Sequence, residues 1–122
     1  MTTTKTVPEL VLDWTKDLVV ILQGDYDRQY SSVPTQLQEL RDKNLGARRY
    51  EFKIETGRKY HKIVATGQGV HAFIDKKTGQ VYKPASYKAP AKHVRYDLRV
   101  IEDRARCYQN ADWAGGYLYL RG

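Results

Sequence analysis

Between residues 6 and 24 apolar side chains recur every three or four positions. Leu10, Val11, Trp14, Leu18, Ile21 and Leu22 fall on one stripe, the repeat of an amphipathic helix. Thr6 and Glu9 have capping-box spacing, Pro8 suits a first turn with no intrahelical donor to lose, and Gly24 predicts the stop. A second, shorter helix is predicted over 34–44, with Leu37 and Leu40 inward and Gly46 at its end. After Gly46 the period drops to two. Tyr50, Phe52 and Ile54 alternate with Glu51, Lys53 and Glu55, the mark of a strand with one buried face. "YHKIVAT", "VHAFID" and "QVYK" continue the pattern as three more strands, separated by "TGRK", "GQG" and "KKTG", and the spacing predicts an antiparallel meander.

Turn positions fix a trial register. With Gly57-Arg58 as the first turn, Ile54 faces His61 and Phe52 faces Ile63. With Gly67-Gln68 as the second, Val64 faces His71 and His61 faces Ile74; the third turn sets Ile74 against Val81 and Phe73 against Tyr82. One face then carries Tyr50, Phe52, Ile54, His61, Ile63, Ala65, Val70, Ala72, Ile74 and Val81, and is expected to receive the helices. The other carries Lys53, Tyr60, Lys62, Val64, His71, Phe73 and Tyr82, which is an unusually aromatic outer surface.

Downstream, "PASYKAPAK" contains Pro84 and Pro90, which favour extended backbone and predict a stiff surface loop. Residues 98–110 predict a short helix with Ile101, Ala105 and Tyr108 inward, and "GGYLYLRG" a turn followed by a strand. The expected fold is thus α+β. Two N-terminal helices pack on one face of an antiparallel four-stranded meander, with a short C-terminal helix and a terminal strand. It forms a single domain, with 1–46 helical, 47–83 the sheet, 84–97 the basic Pro/Tyr/Lys loop and 98–122 the closing helix and strand. A chain of 122 residues is enough for one core.

Charge sharpens this picture. The net +7 is unevenly spread: residues 1–46 carry −2, residues 47–100 carry +9, and the last 22 are neutral. A segment this basic attracts polyanions, nucleic acid or an acidic protein surface, although a solvated face that only maintains solubility has the same composition. Tyr60, Phe73, Tyr82 and Tyr87 are candidate stacking residues for bases, and Lys53, Lys62, Lys83, Lys88, Lys92 and Arg95 are candidate phosphate contacts. The alternative is a sheet face covered by the loop or by the terminal "YLYL".

Catalytic and metal-binding patterns are thin. His61, His71 and His93 lack metal-ligand spacing, Cys107 is the one cysteine, and no phosphate-loop or nucleophile-elbow motif occurs. The expectation is a protein that is not an enzyme and uses no metal or cofactor. No apolar run approaches the roughly 20 residues of a membrane span, and "MTTTKTVPEL" lacks the layout of a signal peptide.

The stretch "KYHKIV…VHAFIDKKTGQVYKPASYKAPAK" resembles a group of small uncharacterised proteins encoded by tailed bacteriophages, over residues 58–96. That resemblance implies a phage accessory protein acting in the cytoplasm of an infected bacterium. It carries no activity to transfer. Three readings follow: a nucleic-acid-binding module using the ten residues above, a protein-interaction module inhibiting or modifying a host enzyme or defence system, or a nucleotide-sequestering protein with an aromatic, cationic pocket.

Overall fold

The computed structural model describes residues 4–31, 51–66 and 68–119. Helix α1 spans Val7–Ser31, and strands β1 (Phe52–Thr56), β2 (Tyr60–Ala65), β3 (Gly69–Asp75), β4 (Gln80–Tyr82) and β5 (Tyr96–Asp97) form one antiparallel sheet in the order β1-β2-β3-β4-β5. Helix α2 (Ile101–Asn110) and a short 3₁₀ turn (Gly116–Leu118) follow. The α+β class holds with two changes. The meander has five strands rather than four, and "GGYLYL" enters a 3₁₀ turn, not a strand, as far as Tyr119. The helix predicted over 34–44, Tyr50, Gly67 and residues 120–122 lie outside the described residues.

The capping box starts α1. The Thr6 amide donates to Glu9 Oε1 at 3.0 Å, and the Glu9 amide donates to Thr6 Oγ1 at 3.3 Å. Gly24 does not end the helix. Two further turns are held by Tyr26, which is buried, by Gln23 donating to Asp27 Oδ1 at 3.2 Å, and by the Arg28–Asp25 ion pair. Packing of Tyr26 outweighs the roughly 1 kcal/mol that an interior glycine costs.

Val11, Leu18 and Leu22 of α1 meet Phe52, Ile63, Ala65, Ala72, Ile74 and Val81 from the sheet, with Tyr96, Leu98, Cys107 and Leu118 closing the core. Hydrogen bonds tie α1 to what surrounds it. The Phe52 amide donates to Gln23 Oε1 at 2.9 Å, Tyr108 OH to the Trp14 carbonyl at 2.8 Å, and the Trp113 amide to Asp25 Oδ2 at 3.0 Å.

The β3–β4 register is the expected one. Across β1–β2 the pairs are Ile54↔Ile63 and Phe52↔Ala65, two residues from the trial register, because the turn takes four residues with the Gly57 amide bonded to the Tyr60 carbonyl at 2.9 Å. A shift of two leaves every side chain on its face. The β2–β3 ladder matches as far as Ile63↔Ala72 and then slips, so that Val64 pairs with Val70 and His71 is the extra residue of a β-bulge. The bulge reverses the expected faces. Val70 joins the outer face, and His71 turns to the helix side, its ring edge-on to Phe52 at 5.4 Å.

Candidate nucleic-acid interface

The outer face of the sheet brings together six of the ten candidate residues. Alternation along β1–β4 places Lys53, Tyr60, Lys62, Phe73 and Tyr82 on it, and the loop after β4 folds back to add Tyr87. Tyr60 stands at right angles to Phe73 and Tyr82, with centroids 5.5 and 6.2 Å apart. Lys62 Nζ lies 5.6 Å from the Phe73 ring and 4.5 Å from the Tyr87 ring, sandwiched between them. Tyr87 OH donates to Glu55 Oε1 at 3.0 Å, and the same carboxylate pairs with Lys53 at 3.8 Å.

This is a filled surface rather than an open stacking platform. Phe73 is completely buried and Val64 nearly so, yet neither belongs to the main core. Tyr60 and Tyr82 are half-buried, Tyr82 OH donates to Gln80 Oε1 at 3.1 Å, and burial with the neighbouring Tyr60 and Asp75 pushes its phenol upward. Tyr87 is about half exposed.

The other four candidates point elsewhere. Lys88 and Lys92 are exposed on the loop. That loop is closed by backbone bonds from Ala91 to the Lys83 carbonyl at 2.7 Å and from Ala85 and Ser86 to the Ala89 carbonyl. Ser86 Oγ accepts from the Lys88 and Ala89 amides. Lys83 lies toward the helix side, its ammonium 4.9 Å from the Tyr119 ring. Arg95 is turned inward. Its guanidinium donates to the carbonyls of Lys92 (2.7 Å), His93 (2.5 Å) and Leu118 (2.5 Å), clasping the loop to the C-terminal turn. His93 adopts φ 75°, the left-handed region, which aims its carbonyl at this clasp.

Two features escaped the sequence reading. In an antiparallel meander the first and third turns share one end of the sheet, so "TGRK" and "DKKTG" collect Arg58, Lys59, Lys76 and Lys77 around a cleft of about 360 Å³ beside Pro8. Lys76 Nζ donates to the Gly57 carbonyl at 3.0 Å, joining the turns, while Asp75 accepts from the Lys77 and Thr78 amides. The rule that odd turns coincide would have found this cluster. The second is a cavity of about 310 Å³ on the helix side, lined by His71, Lys83, Trp113 and Tyr119 among others. Its discovery needed the bulge.

Cys107 is buried, and burial pushes its thiol up to about 12, so it is protonated. Among the described residues no group of three or more His, Cys, Asp or Glu has metal-holding geometry. Among them, too, no helix is long and apolar enough to cross a membrane.

These elements define a small α+β protein whose antiparallel sheet has a helix-covered face and a basic, aromatic face. The chain belongs to a family of unknown function, DUF7717, whose model matches residues 1–120. No curated protein and no solved structure matches it.

Proposed function

We propose that the protein binds nucleic acid without catalysing a reaction on it, mainly through its phosphates. The observation that carries this is the lack of carboxylate partners for its cations. Residues 51–100 hold eleven Lys and Arg against four carboxylates, and among the described residues of this span Lys53 alone forms an ion pair. Asp75 is taken up by backbone amides of its own turn, Glu55 is shared by Lys53 and Tyr87, and Asp97 accepts from the Arg99 amide at 2.9 Å. Lys88 and Lys92, with Arg58, Lys59 and Lys77 of the turn cluster, are therefore available to phosphates. The half-exposed rings of Tyr60, Tyr82 and Tyr87 offer edges and one accessible face to bases. The resemblance of residues 58–96 to phage-encoded proteins supports a phage accessory role in the cytoplasm of an infected bacterium.

Binding through phosphates releases condensed counterions, so affinity for a single-stranded oligonucleotide should fall with salt at about 0.7 log units per log unit for each contact. Fluorescence anisotropy over a salt series measures this. Replacing Lys88 and Lys92 together by Gln is expected to lower the slope by about one to two. Absence of binding to both single- and double-stranded oligonucleotides at low salt would overturn the proposal.

A further inference from the structure

The helix-side cavity has the makings of a second site. The β-bulge in β3 takes His71 out of the ladder and turns its ring toward Tyr117, whose OH lies 2.9 Å from His71 Nε2. Bulges commonly re-aim a side chain beside a functional site. The Tyr117 hydroxyl is deeply buried, with its phenol pushed well above the ordinary value by burial and by Cys107, Asp112 and Tyr96 around it. Nε2 of His71 is its hydrogen-bond partner. A buried O–H left without an acceptor costs about 1–3 kcal/mol, so Tyr117 donates and Nε2 accepts. Burial moves the His71 imidazole down to about 4, against a smaller opposing pull from Asp112, so the ring is neutral. A neutral imidazole that accepts at Nε2 carries its proton at Nδ1.

That Nδ1–H has no protein acceptor and is not sealed from solvent. It borders the cavity beside Gly115, where a Cβ would lie 3.9 Å from Nδ1. Gly115 and Gly69, which also borders the cavity, have φ of 85° and 111°, so backbone rather than side chains forms two of its walls. The remaining wall groups are of two kinds. Trp113 and the 61% exposed Tyr119 supply ring surfaces, and Lys83 and Gln68 supply a cation and an amide. At about 310 Å³ the cavity lies at the small end of the range for ligand pockets.

The geometry points to a binding site for a small planar aromatic anion. Its ring would pack against Trp113 and Tyr119, and its charged group would meet the Lys83 ammonium and the His71 Nδ1–H. None of the cavity's lining residues belongs to the phosphate-contact set proposed above, so its occupancy does not depend on that surface.

A nucleoside monophosphate supplies this chemistry, as do simpler aryl phosphates and carboxylates. The test titrates adenosine 5′-monophosphate, phenyl phosphate and benzoate, with adenosine and ribose 5-phosphate as controls lacking the charge or the ring. Nitrogen-15 NMR of the imidazoles and Trp113 fluorescence are the readouts. Free protein should show His71 as the Nδ1–H tautomer at neutral pH. At least one ring-plus-anion probe should then saturate, shifting the His71 signals. Lys83→Gln and the exposed Tyr119→Ala should each weaken that probe about tenfold with the melting temperature unchanged. Preference for the nucleotide over phenyl phosphate and benzoate identifies a nucleotide site; the reverse identifies a simple aromatic acid. The proposal is overturned by an Nε2–H tautomer, by no saturation up to about 10 mM of any probe, by controls binding as well as the probes, or by variants that bind unchanged. Lys88→Gln with Lys92→Gln should lose oligonucleotide affinity and keep the small probe, which separates this site from the outer surface.

Discussion

The two faces of the sheet solve the same burial problem with different materials. On the helix side, aliphatic residues of α1 interlock with Ile63, Ala72, Ile74 and Val81, and the cover comes from an element far away in sequence. On the outer side the cover is local. Tyr60 and Lys62 pack on Phe73, Tyr82 and Tyr87 pack on these two in turn, and the loop that brings Tyr87 follows directly from β4. Rings and lysine stems bury apolar surface while their polar ends stay wet. The outer face thereby keeps its charge and still excludes water from its centre. A basic surface on a strand does not have to be an open one.

The sharpest way to break the comparison is to remove one residue from each side. Ile74→Ala and Phe73→Ala should each cost about 3 kcal/mol in urea denaturation, since both side chains are fully buried. A cost below about 1 kcal/mol for Phe73→Ala would mean that the outer cover collapses freely and is no second core.

Acid separates the faces next, because His71 and its Tyr117 partner lie on the helix side. The folded His71 titrates at about 4 and the unfolded one near 6.5, so between these values the unfolded chain binds a proton that the folded chain does not. Stability is therefore complete above about pH 6.5 and declines as pH falls toward 4, by about 3 kcal/mol. His61, also lowered by burial and by Lys76, acts in the same direction. Unfolding measured from pH 7 to 4 checks this, and His71→Gln should flatten most of the slope. An unchanged slope in that variant would assign the acid sensitivity elsewhere.

The smallest expected effect concerns the lid on the outer face. Tyr87→Ala removes one hydrogen bond to Glu55 and one cation–π contact from a half-exposed ring, so it should cost less than about 1 kcal/mol. It should also free Lys62 and the Phe73 ring. If Tyr87 serves mainly as cover, oligonucleotide affinity in the variant rises; if its ring takes a base, affinity falls.

Period-two alternation was enough to find four strands and to sort most of their side chains by face. The D-x-x-x-G turn fixed β3 against β4 correctly. What escaped reading has local causes. Strand β5 is only Tyr96 and Asp97, too short to show a period, and it forms because Tyr96 fills the core beside Val81. The bulge at His71 leaves no mark in a pattern of alternate residues, since it adds one residue without breaking the apolar run. Gly24 misled because a glycine stop is a weak signal beside a buried Tyr26. Among the candidate contacts, composition identified the cations but not their aim. Arg95 and Lys92 look alike in sequence; three backbone carbonyls hold the one and the other is exposed.

The loop that follows β4 has one more consequence. Cleavage by a protease requires several residues to lie extended in its cleft, and here the chain from Lys83 to Ala91 is drawn into a ring of its own backbone hydrogen bonds. Its most accessible lysine, Lys88, is thus on the surface but not in a cuttable conformation, and digestion there waits for the ring to open. Exposure and vulnerability part company at this loop.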